Sequence, residues 1–161
     1  MNEDGNMDVI AGNNGHTNQF IPGNGNGMFG TAVNLATGSM GTTSLAIGDM
    51  NGDTHLDIVV GNGDNTINQY FSGNGDGTFG TAVNLPGGTK NTSWVVLEDM
   101  DEDGNLDIVL GNFSQANQYI PSNGDGTFGT AVNLPGLIAS TRGIAIGDIN
   151  EDGHLDMVIG N

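Results

Sequence analysis

DMDEDGNLDIVLGN, residues 99–112, places carboxylates at Asp99, Asp101, Asp103 and Asp107 and then runs straight into the apolar stretch Ile108-Val109-Leu110. Four like charges brought within about 4–5 Å of one another repel by several kcal/mol in all at an effective dielectric of about 20. The stretch therefore reads as a loop built for a positive partner. The apolar run behind it is too short for a helix and reads as a strand buried on both faces.

The same loop recurs along the chain as D-x-[DN]-x-D-x-x-x-D, with oxygen side chains at loop positions 1, 3, 5 and 9. The second copy offers Asp49, Asn51, Asp53 and Asp57; the third offers Asp99, Asp101, Asp103 and Asp107; the fourth offers Asp148, Asn150, Asp152 and Asp156. A first copy keeps Asn2, Asp4 and Asp8, with Asn6 at position 7, but lacks the position-1 Asp. Behind each loop the strand ends in Gly-Asn, and Gly12, Gly61, Gly111 and Gly160 are spaced 49, 50 and 49 residues apart. Phe29, Phe79 and Phe128 keep the same period inside GNGMFGTAVNL, GDGTFGTAVNL and GDGTFGTAVNL. A period near 50 residues marks a repeat array.

Each unit reads as four short strands separated by turn signals, the pattern of a four-stranded antiparallel β-propeller blade. The expected fold is all-β, one array over residues 1–161, divided into a partial first repeat (1–48), complete repeats at 49–98 and 99–147, and a partial fourth repeat at 148–161. Three strands in the first unit, four in each of the next two and two in the last make about three and a quarter blades. An open array of that kind leaves sheet edges that need neighbours, so the expected partners include copies of the same chain, in a ring or filament, or further repeats of a longer one. The three phenylalanines are expected to pack between neighbouring blades.

Composition narrows the partners. Against 19 acidic residues stand only Lys90 and Arg142, for a formal net charge of −17. Nucleic acid and anionic membrane surfaces attract basic patches, so neither is an expected partner, whereas a cation is. No apolar run approaches the roughly 20 residues needed to span a bilayer, and there is no cysteine for a disulfide framework. Sixteen of the acidic residues lie in or beside the four loops, while Asp64, Asp76 and Asp125 fall in Gly/Asn-rich turns.

Alternate positions of a tight loop point inward, so oxygens at positions 1, 3, 5 and 9 can converge on one hard cation. The backbone carbonyl of position 7 (His55, Asn105, His154) completes the shell. All-oxygen ligation suits calcium; zinc would want imidazole or thiolate, and the two histidines stand where only a carbonyl is needed. Gly104 and Gly153 supply the sharp turn at position 6, whereas the second copy has Thr54 there and Gly52 two residues earlier, which predicts some distortion. An EF-hand would need a bidentate Glu at position 12, but Val60, Leu110 and Ile159 stand there, inside strands.

With DMNGDTHLD, DMDEDGNLD and DINEDGHLD each followed by a strand, and with NGDGTFG or a variant between them, the chain resembles the FG-GAP/VCBS repeats that build integrin-type propellers. The likeness covers essentially the whole chain, although Thr81-Ala82-Val83 and its counterparts replace the Gly-Ala-Pro half of the family signature. The resemblance implies calcium in the loop joining the first and second strands of each blade, ligands on the opposite face, and extracellular or cell-surface roles in adhesion, carbohydrate binding or protein interaction.

Comparison among the repeats locates that opposite face. Two sets of segments vary between copies: 14–17, 63–67 and 113–116 after the second strand, and 36–44, 86–94 and 135–143 before the first. They read as the 2–3 and 4–1 connections, which share one face of an up-and-down blade. Trp94, the single tryptophan, lies in this set, where its ring either fills a gap between blades or, if exposed, stacks on a sugar. Asn91 and Asn112 sit in N-glycosylation patterns. No catalytic set emerges, because the acids belong to the loops and no nucleophile stands beside a base. The functional expectation is a calcium-binding repeat module for binding or adhesion, with a lectin or a structural subunit of a surface fibre as alternatives.

Overall fold

The computed structural model describes residues 1–36, 40–136 and 138–161. Its described residues form fourteen strands and no helix. The second blade contains β5 (Met40–Gly48), β6 (Asp57–Asn62), β7 (Thr66–Phe71) and β8 (Val83–Lys90), and the third contains β9 (Thr92–Glu98), β10 (Asp107–Asn112), β11 (Gln118–Ile120) and β12 (Val132–Asn133). Each is an antiparallel meander in chain order. On one side lies a sheet of β1 (Val9–Ala11), β3 (Gln19–Ile21) and β4 (Val33–Asn34); on the other lies the pair β13 (Gly143–Gly147) and β14 (Asp156–Gly160). These are the propeller-like blades that the period predicts.

Strand alternation explains how the blades hold together. In β6, Ile58 and Val60 join Phe20, Leu35 and Phe71 in a core facing the first blade, while Val59 joins Tyr70, Leu85, Val95, Ile108 and Leu110 in a core facing the third. Both faces of the strand are covered, so all six residues of β6 are buried, as are all six of β10. Successive side chains point to opposite faces, and the run needs apolar residues at every position instead of every second one. Two of the repeated phenylalanines pack between blades as expected, Phe79 meeting Phe20 edge to face at 5.8 Å and Phe128 meeting Tyr70 at 5.3 Å, whereas Phe29, against expectation, is exposed.

The Gly-Asn at the end of each second strand has two physical causes. A Cβ on Gly61 would lie 2.6 Å from Val95 and 2.9 Å from Thr92, and one on Gly111 would lie 2.7 Å from Thr141, so the next blade's first strand passes where only glycine fits. The Asn beside it joins a buried polar ladder. Thr92 Oγ1 accepts from Asn68 Nδ2 of the second blade at 2.9 Å and donates to Asn112 Oδ1 of its own at 2.9 Å. Asn62, Asn68, Thr92 and Asn112 are all at most 2% exposed. Buried polar groups of this kind must be paired, and here the pairing runs from blade to blade.

Two further expectations need correction, and one sequence pattern lies buried. The segment 86–94 is not a loop: Pro86–Lys90 continue β8, paired through Thr66–Lys90 and Ile67–Thr89 across a bulge, and Trp94 lies within β9 opposite Gly111. Gly87 and Gly88, at φ +104° and +74°, let the strand bend and continue. The 2–3 connection of the first blade carries an unexpected strand, β2 (Asn14–His16), which pairs with β5 and makes the second sheet five-stranded. Asn112 is fully buried and its amide is bonded to Thr92 and Ala116, so it is no glycosylation acceptor in the folded chain. Of the segments 36–44 and 135–143, residues 37–39 and 137 lie outside the described residues.

Candidate metal centre

The second, third and fourth acidic loops are the hairpins between the first and second strands of their blades, closed by the pairs Gly48–Asp57, Glu98–Asp107 and Gly147–Asp156, and the first precedes β1. The loops share one scheme of backbone amides donating to side-chain oxygens. At position 1, Asp49 accepts from Gly52 and Thr54 at 2.8 Å each, Asp99 from Asp103 and Gly104 at 3.1 and 2.9 Å, and Asp148 from Asp152 and Gly153 at 3.1 and 2.9 Å. At position 3, Asn2, Asn51, Asp101 and Asn150 accept from the amide of position 5. At position 5, Asp4, Asp53, Asp103 and Asp152 accept from the amide of position 7, which is Asn6, His55, Asn105 or His154. Those position-7 amides hold the Asp4 and Asp53 carboxyls below the usual carboxylate range.

Two left-handed backbone positions shape the turn. Position 6 has φ +84° at Gly5, +93° at Gly104 and +91° at Gly153, and position 4 has φ +54° at Glu3 and +61° at Glu102 and Glu151. The second loop reverses the choice, with Gly52 at +72° and Thr54 at +74°. A β-branched residue at positive φ is strained, which is the distortion expected of this copy.

Position 9 differs from the rest. Asp57 and Asp107 have no exposed surface. Asp57 Oδ1 accepts from the Gly73 amide at 2.8 Å, and its Oδ2 accepts from the Met50 amide and the Tyr70 hydroxyl, each at 2.9 Å. Asp107 repeats this with Ser122 at 2.8 Å, Met100 at 3.1 Å and Tyr119 at 2.9 Å. Asp8 accepts from Gly23 and Asn2, and Asp156 from Ile149 and Asn150. Burial pushes the Asp57 carboxyl up, against the pull of its three donors, and burial followed by the bond to Asp57 pushes the Tyr70 hydroxyl up as well.

Among the described residues, Asp99, Asp101 and Asp107 form one group whose ligand oxygens all lie within 4.8 Å of one another. The set is all-oxygen and triply acidic, and it fits a hard divalent cation. Asp103 is outside that group, with its carboxylate turned to the Asn105 amide. Asp76 and Asp125 are turn residues, each accepting from the hydroxyl and amide of Thr78 or Thr127, which lower their pKa values. Trp94 is far from this face in the fold, at the other end of β9 and 41% exposed.

The position-7 histidines have a use the sequence did not disclose. His55 Nδ1 pairs with Glu3 Oε1, and His154 Nδ1 pairs with Glu102 Oε1 at 2.6 Å, so position 4 of one loop clasps position 7 of the next. These bonds raise both imidazoles above their usual pKa. A raised folded pKa contributes stability that is complete below the unfolded value of about 6.5 and is lost as pH climbs through the folded value. Glu3→Gln is expected to return the His55 titration toward its ordinary range in ring-proton NMR while His154, clasped by Glu102, keeps its raised value. An unchanged His55 curve would mean the clasp does not form in solution.

The hairpin turns join the clasp: Gly77 donates to Met1 O at 2.9 Å and Gly126 to Met50 O at 3.3 Å, so the 3–4 turn of each blade grips the preceding loop. No curated protein matches the chain. The FG-GAP-like repeat matches it three times in overlapping succession, at residues 1–60, 49–110 and 99–159, each match running from one acidic loop past the next. With acidic inter-strand loops, repeating blades and matches spanning nearly its whole length, the chain belongs to the FG-GAP-like repeat family.

Proposed function

We propose that the chain is a calcium-binding repeat module of an extracellular or cell-surface protein, non-enzymatic, in which the acidic loops hold calcium and the opposite face binds a protein or glycan. The observation that carries the reading is the convergence of Asp99, Asp101 and Asp107 at the mouth of a buried strand pair. Asp49, Asn51, Asp53 and Asp57 would hold the ion in the second loop and Asp148, Asn150, Asp152 and Asp156 in the fourth, with the carbonyls of His55, Asn105 and His154 adding a ligand each, and Asn2, Asp4, Asn6 and Asp8 supplying a weaker first set. A calcium ion there neutralises like charges and ties the first strand of a blade to its second. Millimolar calcium outside cells matches loops of this charge, which supports the localisation.

The ligand face rests on Trp94 and Phe113, both 41% exposed at the end of the β9–β10 pair remote from the calcium loop. Two half-exposed aromatic rings suit stacking on a sugar or anchoring a protein partner. Calorimetric titration with calcium, and then a glycan array probed with and without it, tests both halves. No heat of binding would remove the calcium reading; binding of glycans unaffected by Trp94→Ala would move the ligand elsewhere.

A further inference from the structure

We propose that Tyr119, and Tyr70 at the same place in the second blade, are positioning residues for the metal loops: their hydroxyls hold the position-9 carboxylate where it can accept calcium. The inference rests on the calcium reading above. Tyr119 stands on β11, opposite Val109 of β10, and its hydroxyl reaches back to Asp107 Oδ2, at the start of β10, at 2.9 Å. The other two donors to Asp107 are backbone amides, Met100 and Ser122. Among the described residues Tyr119 is thus the one side chain that donates to this carboxylate, and it makes a longer contact of 3.4 Å with Asp101 Oδ2. A single hydroxyl therefore touches two of the three carboxylates that converge in this loop.

The other blades show what the hydroxyl is for. In the second, position 3 is an amide, and Asn51 Nδ2 donates to Asp53 Oδ2 at 2.9 Å, so the loop supplies its own donor and Tyr70 serves Asp57 alone. In the first, the aromatic position is Phe20, which has no hydroxyl, and position 3 is again an amide, Asn2. The bridging contact occurs where position 3 is a carboxylate, Asp101, and where two negative charges must be kept near one oxygen site. A donor shared by both offsets their repulsion and limits their rotation. Partners behind the ligands of a metal commonly govern its affinity by 10–100-fold.

The test is calcium titration calorimetry of the wild-type chain, Asp99→Asn and Tyr119→Phe, with thermal melting of each in excess chelator. Asp99→Asn removes one of the three converging negative charges and identifies the binding step that belongs to the third loop. Tyr119→Phe keeps the ring and is expected to weaken that step about tenfold while leaving the others in place. If that step is unchanged while the melting temperature in chelator falls, the hydroxyl is only structural and the proposal is overturned. If the wild-type chain binds no calcium, the functional reading fails and this one with it; a wild-type chain that binds with Tyr119→Phe equally tight defeats this inference alone. Should Tyr119→Phe not fold, Tyr70→Phe set against Asp49→Asn asks the same question of the second loop, with the same two outcomes.

Discussion

Asp107→Ala is expected to cost about 3–5 kcal/mol of folding stability, in excess chelator as well as in calcium. The range lies toward the low end of what three orphaned donors cost together, because part of the gap can relax. The residue has no exposed surface and collects the Ser122 and Met100 amides and the Tyr119 hydroxyl. Removing the carboxylate leaves these three donors unpaired beside a cavity, and each orphaned buried group costs about 1–3 kcal/mol. Asp103→Ala provides the contrast. Asp103 is exposed and its carboxylate accepts from the Asn105 amide, so its loss should cost under about 1 kcal/mol in chelator and be felt mainly as weakened calcium binding. Asp76→Ala, in a hairpin turn, should leave calcium binding untouched. Urea unfolding of the three variants in chelator and in calcium separates the cases; equal losses for Asp107→Ala and Asp103→Ala would show that the buried carboxylate is not a structural centre.

That contrast also marks how far the sequence could be read. The loops and blades were legible because charge and period repeat together: carboxylates recur at the same spacing every 49–50 residues, each set followed by a short apolar run such as Ile58-Val59-Val60, Ile108-Val109-Leu110 or Met157-Val158-Ile159. The division of labour within a loop was not, because Asp103 and Asp107 look alike in a string of letters and differ only in what the third strand brings over them. The Thr-Asn ladder was hidden for a related reason. Asn68, Asn112 and Thr92 have turn-like composition, and their burial depends on the neighbouring blade. The strand β2 carries Asn-Gly-His, with no apolar alternation, and exists because β5 offers it an edge. The clasp between Glu3 and His55 joins residues 52 apart, and it skips the junction where Gly52 and Asn105 occupy the equivalent positions, so it does not follow the single-repeat period.

Calcium removal should lower the melting temperature by roughly 10 °C while leaving the chain folded. At about 1 mM calcium and a dissociation constant near 0.1 mM, each occupied site adds roughly 1.4 kcal/mol to the native state, so the three complete loops add about 4 kcal/mol. For a chain of this size each kcal/mol moves the midpoint by about 2–4 °C. The loss should be partial, since the loop amides already donate to the oxygens at positions 1, 3 and 5 and offset part of their repulsion. The Asp57 and Asp107 carboxylates also keep their three donors whether or not an ion is present. Magnesium should restore little of the shift, because it prefers a smaller octahedral shell and gives up its water reluctantly. Salt at the same ionic strength should restore less still, because screening acts on exposed charges and leaves the geometry of the shell unfilled. Differential scanning calorimetry in chelator, calcium, magnesium and matched sodium chloride decides the matter: coincident melting curves in all four would mean that the loops are hydrogen-bonded turns and hold no ion.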